Sequence, residues 1–206
     1  MKRFLSDEVK EAFTASIKDV ESRSSAEIVV AVRARSATYR HVELVVGVIA
    51  TFAALAYMLY AEHEFSIPSL LVDPFIAGLV AGLITTQIDP LRRLLTPPRM
   101  RSESVRIAAQ ATFYANGVRM TSERTGILIY LSLLERIVEV IPDSGVLEAL
   151  DDDEWETACE AVSAALVDVA SGPAVADAIA RLGDILEPAL PRSQFDVNEL
   201  ADEVDA

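Results

Sequence analysis

The feature that most constrains this chain is a run of 18 uncharged residues from Leu44 to Ala61. A helix of that length crosses a hydrocarbon core of roughly 30 Å. A second apolar run of 19 residues, from Leu70 to Ile88, contains one charge, Asp73, which Pro74 follows. The soluble alternative is a pair of buried core helices, but 206 residues leave little chain to cover two helices that are apolar all round. We therefore predict a transmembrane hairpin whose second span begins near Asp73.

The positions of the basic residues predict the orientation of this hairpin, because Lys and Arg near a span are retained on the cytoplasmic side. The loop between the spans, residues 62–69, has no Lys or Arg. Arginines flank the hairpin on both outer sides: Arg33, Arg35 and Arg40 precede it, and Arg92, Arg93, Arg99 and Arg101 follow it. We expect a protein of the bacterial inner (plasma) membrane with two spans, whose termini and folded domain are cytoplasmic and whose arginines contact membrane lipid.

Small residues in the two runs predict close packing of the helices. Gly78 and Gly82 form a GxxxG pair in the second run, and the first run offers Ala50 and Ala54. Such residues let helix backbones approach closely in a membrane. Gly78 and Gly82 are also a candidate contact for an oligomer. The alternative, that Gly and Ala are simply common in such helices, stays open.

Outside the two apolar runs, residue periodicity predicts a small α/β domain. Glu27–Val32 has the continuous β-branched hydrophobicity of a strand buried on both faces. Ile127–Leu131 and Ile137–Ile141 are separated by Ser132–Arg136, which is short enough for a β-hairpin loop. Four helices are predicted: one after the N-cap Ser6, one that ends at Asn116-Gly117, one from about Glu154 to Val169, and one that carries Val175–Leu186 and stops at Pro188.

The order of these elements is α, β, membrane hairpin, α, β, β, α, α. It describes an α/β fold, an α+β sandwich, with an inserted two-helix transmembrane hairpin. We expect 1–41 to form the first part of the domain, 42–91 the hairpin, 92–190 the second part of the domain and 191–206 an acidic tail. The tail is either a docking peptide for a partner or a solvated terminus.

Charge is distributed unevenly along the chain. The net charge is −14 at pH 7, and residues 137–206 hold 2 Lys or Arg against 18 Asp or Glu. An acidic excess of this size repels nucleic acid. We therefore expect no nucleic-acid partner.

The chain offers few nucleophilic residues. The two histidines, His41 and His63, lie on opposite sides of the bilayer in the predicted topology, so they cannot share a catalytic site. The one cysteine, Cys159, falls on the apolar face of a predicted helix and is expected to belong to the core. No glycine-rich nucleotide-binding motif occurs. The sequence therefore excludes nucleophilic triad catalysis and leaves the catalytic residues of any enzyme unknown.

Acidic residues are the one candidate set for metal binding. Asp151, Asp152 and Asp153, with Asp143 across the strand end, offer the oxygen ligands that a hard cation such as calcium prefers. Consecutive carboxylates point in different directions, and acids at a helix start are also explained by capping and the helix dipole. We expect no other cofactor. A divalent cation site and a solvated helix start are both left open here.

Two segments of the sequence carry a resemblance to a known family. Ser25–Val32, followed by Thr125–Val140 after the hairpin, resembles the TPM domain family. The likeness is to a bacterial branch in which two transmembrane helices interrupt the domain and the tail ends near an Asn-Glu-Leu motif, here Asn198–Leu200. This resemblance implies a TPM-like βαβ-type sandwich that is often encoded beside LemA-like membrane proteins. It also implies a role in the maintenance or assembly of membrane complexes.

The resemblance leaves a second activity open, because some members of the family are described as acid phosphatases and some as calcium-binding. The Asp-Asn-Gly that commonly precedes the second strand in secreted members is replaced here by Arg124-Thr125-Gly126. A negatively charged candidate is thereby lost. We expect an interaction or assembly module without enzymatic activity, whose partners are membrane proteins, LemA-like ones among them. The alternative is a metal-dependent, acid-type phosphatase.

Overall fold

A computed structural model describes residues 4–169, 171–193, 198–200 and 204–205. The chain divides into two compact units, one of Met1–Ser36 with Ser102–Ala206 and the other of Ala37–Arg101. The first unit is a mixed α+β structure with a three-stranded sheet. The second contains two helices that are long and apolar enough to cross a membrane.

The elements follow the predicted order, with additional short helices. In chain order they are α1 (Asp7–Arg23), β1 (Glu27–Arg33), α2 (Arg40–Tyr60), α3 (Ile67–Thr85), α4 (Asp89–Leu95), α5 (Pro98–Ala115), β2 (Gly126–Ser132), β3 (Ile137–Pro142), α6 (Ser144–Ala149), α7 (Asp152–Ala164) and α8 (Gly172–Ala189). A 3₁₀ turn at Val118–Met120 precedes β2, and a π-helical turn at Ala165–Val169 follows α7.

The sheet has the strand order β1-β2-β3. β1 runs parallel to β2, with Ile28 opposite Ile127, and β2 runs antiparallel to β3, with Ile129 opposite Val140. The turn between β2 and β3 contains Arg136 at a φ of 54°. The predicted β-hairpin of β2 and β3 is therefore confirmed.

Apolar layers cover both faces of the sheet. One face packs against α1, α7 and α8, and its fully buried strand residues are Ile28, Val30, Val32, Ile127, Ile129 and Leu131. The other face packs against α5, and its buried strand residues are Val29, Ala31, Leu128 and Tyr130. The prediction that β1 is buried on both faces is confirmed, because neighbouring residues of that strand alternate between the two layers.

Local signals place several helix ends where the sequence predicts them. The Ser6 hydroxyl accepts a hydrogen bond from the Val9 amide, 3.4 Å away, at the start of α1. Gly117 has a φ of 65° just after α5, a conformation that glycine adopts without strain. The predicted helix from Glu154 to Val169 instead begins at Asp152 and becomes a π-helical turn after Ala164.

In the second unit, α3 begins earlier than predicted. The apolar run predicts a start near Asp73, but the helix starts at Ile67 and contains Asp73 and Pro74. The Ser66 hydroxyl caps it by accepting from the Ser69 amide at 3.3 Å. The cap at Ser66 and the proline in the first turn, Pro68, favour a helix start ahead of the apolar run.

Glycines set the packing of α2 against α3. A Cβ atom on Gly78 would lie 2.6 Å from the Gly47 carbonyl oxygen, and one on Gly82 would lie 3.1 Å from the Glu43 carbonyl oxygen. Gly78 and Gly82 therefore face α2 of the same chain. Gly47, which the sequence pattern did not single out, is the counterpart of Gly78. An oligomer through Gly78 and Gly82 stays a prediction.

Gly126 provides a test of the sheet. A Cβ atom there would overlap the carbonyl oxygen of Val118, a backbone atom that cannot rotate away. We expect Gly126→Ala to lower the free energy of unfolding of the α+β unit by about 1–3 kcal/mol. Thermal or denaturant unfolding measures this, with Ala111→Ser on the exposed surface of α5 as the control. Equal stability of the two variants would show that the close approach is absent.

Candidate functional site

Asp143, the first of the candidate metal ligands, is a helix cap paired with an arginine. It lies between β3 and α6, where its Oδ1 accepts from the Ser144 amide at 2.8 Å. The Arg124 guanidinium, in a residue with a φ of 59°, lies 3.5 Å from the same oxygen. Asp143 is buried, and its Oδ2 has no hydrogen-bond partner among the residues that the structure describes. The charged neighbour of the Asp143 carboxylate is therefore a positive group, the Arg124 guanidinium.

The other candidates lie at the exposed start of α7. Asp151 is the N-cap, and its carboxylate accepts from the Asp153 amide at 3.0 Å. Asp152 and Asp153 follow in the first turn with exposed side chains. Within the described residues, no group of three or more His, Cys, Asp or Glu is placed to hold a metal ion. Asp143 is thus not brought together with Asp151–Asp153 into such a group, and capping accounts for two of these carboxylates.

Cys159 and the two histidines lie in three different elements of the structure. Cys159 is half-buried in α7, and burial, with a smaller contribution from the charge of Glu156, raises the pKa of its thiol to about 12. At neutral pH this thiol is protonated and therefore a weak nucleophile. His41 lies in α2, and His63 lies in the loop before α3 with its ring 5.1 Å from that of Phe65.

A buried polar network that the sequence analysis missed lies at the carboxyl ends of β1 and β2. Glu135 is 1% exposed and accepts from the Ser132 hydroxyl at 2.5 Å and from the Ser36 amide at 3.1 Å. The Ser36 hydroxyl lies 3.1 Å from the hydroxyl of Tyr130. The sequence signal for this network was the polar residue Ser132 at the end of the apolar strand β2. Hydrogen bonds offset the cost of burying this carboxylate, so the network stabilises the loops that close the sheet.

The outer edge of β1 is met by the end of the chain. The Asp205 amide donates to the Val30 carbonyl at 3.0 Å, and the Val32 amide donates to the Asp205 carbonyl at 2.8 Å, which makes a parallel bridge. The Asp205 carboxylate accepts from the Arg33 guanidinium at 2.6 Å and from the Asn116 side-chain amide at 2.9 Å. Both the backbone and the side chain of Asp205 are therefore bound.

The Asn-Glu-Leu segment makes a second attachment near the start of β1. The Glu27 carboxylate accepts from the backbone amides of Glu199 and Leu200, each at 3.2 Å. The Glu199 carboxylate in turn accepts from the backbone amide of Ser122 at 2.9 Å and from its hydroxyl. Leu200 packs against the apolar layer that contains α5. These residues of the predicted acidic tail are therefore attached to the domain and not free in solvent.

A groove of about 510 Å³ lies between α7 and α8. Its floor is apolar, with Ala158 and Ala161 from α7 and Leu182 and Ile185 from α8. Its rim carries the acidic residues Asp153, Glu154 and Asp184 together with Arg181. The groove thus places an apolar surface in the most acidic part of the chain.

Comparisons with known proteins identify the fold and no family. No protein-family model matches the chain, and no curated protein matches it in sequence. A similar solved structure is the NMR structure of BA42 protein from the psychrophilic bacterium Bizionia argentinensis, with a TM-score of 0.59 and 17% sequence identity. The match covers 98% of this chain and 94% of that one. At this identity the likeness shows a shared fold alone.

Asp205 gives the attached tail a defined pH dependence. The hydrogen bond from Arg33, with help from Asn116 and against the effect of burial, holds the pKa of this carboxyl below its ordinary value of 3.8. Because the pKa is depressed in the docked state, the stabilisation is complete above the ordinary value and is lost as the pH falls through the depressed one. We expect the protection of the Val32 amide from hydrogen exchange to decrease over that pH range.

The Asp205→Asn variant is the control for this measurement, because its side chain does not titrate. Its Val32 amide should lack that part of the pH dependence. Identical profiles for the two proteins would show that the Asp205 carboxylate does not hold the tail.

Proposed function

We propose that this protein is a membrane-anchored interaction or assembly module, in which a TPM-like α/β domain is held at the bacterial inner membrane by the α2–α3 hairpin. The observation that carries the proposal is the exposure of this hairpin. Only 6% of the most apolar part of α2 and 17% of that of α3 are buried. An apolar helix that its own chain does not cover needs lipid or another protein around it.

The large apolar side chains of the hairpin support a lipid environment. Leu44 is 69% exposed, Phe52 66% and Phe75 67%, whereas core residues of the α+β unit such as Phe13 are 0% exposed. Apolar side chains exposed to this degree are covered by lipid or by another protein in the proposed state.

The charged residues of the second unit fit the end of a membrane anchor. Arg92 is 6% exposed, and its guanidinium lies 2.5 Å from the carboxylate of Glu43, in the first turn of α2. Charges that enter or adjoin a hydrocarbon region are stabilised by pairing. Arg93, Arg99 and Arg101 also follow α3 and are not buried, and they supply the contacts to anionic lipid that the proposal includes.

The interaction role is supported by surfaces and not by a catalytic group. The acid-rimmed groove between α7 and α8 offers an apolar floor to a partner, and its charge favours a basic one. The resemblance to the TPM family makes LemA-like membrane proteins the first candidates. We propose no cofactor.

Membrane extraction tests the anchor. We expect the full chain to stay in the membrane fraction through an alkaline carbonate wash and to be released by detergent. Phe52→Arg should lower the membrane fraction, since an arginine at the centre of a span costs about 2.5–3.5 kcal/mol. Leu147→Arg, at an exposed apolar site of α6, is the matched control and should not change it. Release of the unmodified chain by carbonate would contradict the proposal.

Cysteine labelling in cells tests the orientation. We expect Ser66→Cys, in the loop before α3, to react with a membrane-impermeant maleimide, and Ser193→Cys to be protected until the cells are permeabilised. Both sites are exposed, and Cys159→Ala serves as the background so that no other thiol reacts. Labelling at Ser193 without labelling at Ser66 would reverse the orientation.

A further inference from the structure

The tail pairs with the part of the outer edge of β1 around Val30 and Val32. Nearer the start of the strand, the Ile28 amide donates to the Glu21 carboxylate of α1 at 3.1 Å. β1 is the outer strand of the order β1-β2-β3, and within the described residues no further strand of the sheet lies on its second edge. An open edge pairs readily with an extended segment from another chain. In this structure Asp205 occupies that position through two backbone hydrogen bonds.

Three groups of residues around the attached tail, on β1 and next to it, select what binds there. The Glu27 carboxylate accepts hydrogen bonds from two consecutive backbone amides. Any extended segment without proline at these two positions can supply them. The Ser122 amide and hydroxyl donate to the carboxylate of Glu199. Arg33 and Asn116 donate to the carboxylate of Asp205. The edge therefore combines backbone recognition with two positions that select acidic side chains.

The contacts of the tail are of a kind that can be exchanged. Glu199 is exposed, and Arg33 and Asp205 are each about one-third exposed at the side chain, 31% and 35%. Ion pairs with this much access to water contribute little, about 0–1 kcal/mol each. The tail is also favoured by being in the same chain, which supplies an effective concentration on the order of millimolar. A segment with the same chemistry can compete once that advantage is matched or removed.

We propose that the outer edge of β1 is a binding site for an extended acidic segment of a partner protein, and that the tail of this chain fills the site as a displaceable ligand. This inference rests on the proposed interaction function and deepens it by naming a second surface, distinct from the groove between α7 and α8, and the acidic chemistry of the segment that binds there. Displacement of the tail would free the edge for pairing with the partner strand.

A peptide titration tests the site. The protein is the full chain shortened after Ser193, purified in the same detergent as the complete chain, and the probe is a fluorescent synthetic peptide of residues 194–206. We expect the shortened chain to bind this peptide at least about tenfold more tightly than the complete chain, in which the attached tail competes. The same peptide with Glu199→Gln and Asp205→Asn should bind about tenfold more weakly. Equal affinity of the two chains, or no binding by the shortened chain, would overturn the proposal.

A charge exchange in the complete chain covers the case in which the shortened chain fails to fold. We expect Arg33→Asp and Asp205→Arg each to release the tail, so that the Val32 amide exchanges its hydrogen faster, and the double variant to restore protection. Leu147→Arg is the control for an added charge elsewhere. Unchanged protection in both single variants, or no recovery in the double variant, would overturn the proposal.

The two proposals fail separately. Peptide binding and amide exchange are measured in detergent and report only on the β1 edge. A negative result there removes this inference and leaves the membrane anchor standing. Release of the chain by carbonate removes the anchor and leaves the result at the edge unchanged.

Discussion

The parallel pairing of β1 with β2 is the interaction on which the rest of the structure depends. Parallel neighbours require a long crossover between them, and here the crossover contains α2, α3, α4 and α5. Closing so long a loop costs conformational entropy, which the burial of both strands on both faces offsets. Ile28 and Ile127 are each 0% exposed in this pairing. Without it, neither α1 and α8 on one face nor α5 on the other would have a surface to pack against.

The same pairing makes β1 an edge strand of the sheet. Natural sheets protect their edges from unwanted pairing with charges, bulges or covering segments. Here the cover is a few residues from the end of the chain, held by Arg33, Glu27 and Asn116. The contacts of this cover are polar and partly exposed, and we propose that a segment of a partner protein can replace it.

The acidic residues of the last third of the chain acquire separate roles in the structure. Asp143 and Asp151 cap helices, and capping engages their oxygens with backbone amides. Asp184 lies 3.0 Å from the Arg23 guanidinium and joins α8 to α1. Glu199 is used in attachment of the tail. These four carboxylates, part of an acidic excess that suggests cation binding in the sequence, are therefore bound by the protein's own amides, hydroxyl and guanidinium groups.

The sequence by itself determined the features that depend on near neighbours along the chain. The apolar runs, the β-branched strands, the cap at Ser6 and the turn at Gly117 follow from length, periodicity and local conformational preference, which act over a few residues. The tertiary structure alone decided the contact of Gly47 with Gly78, the pairing of Asp143 with Arg124, and the seat of the tail on β1. These contacts join residues that are distant in the chain. Arg124 and Asp143, and the tail and β1, become neighbours only after the strands have paired, whereas Gly47 meets Gly78 only after α2 packs against α3. No local pattern carries that information, because it is set by which surfaces the tertiary fold brings together.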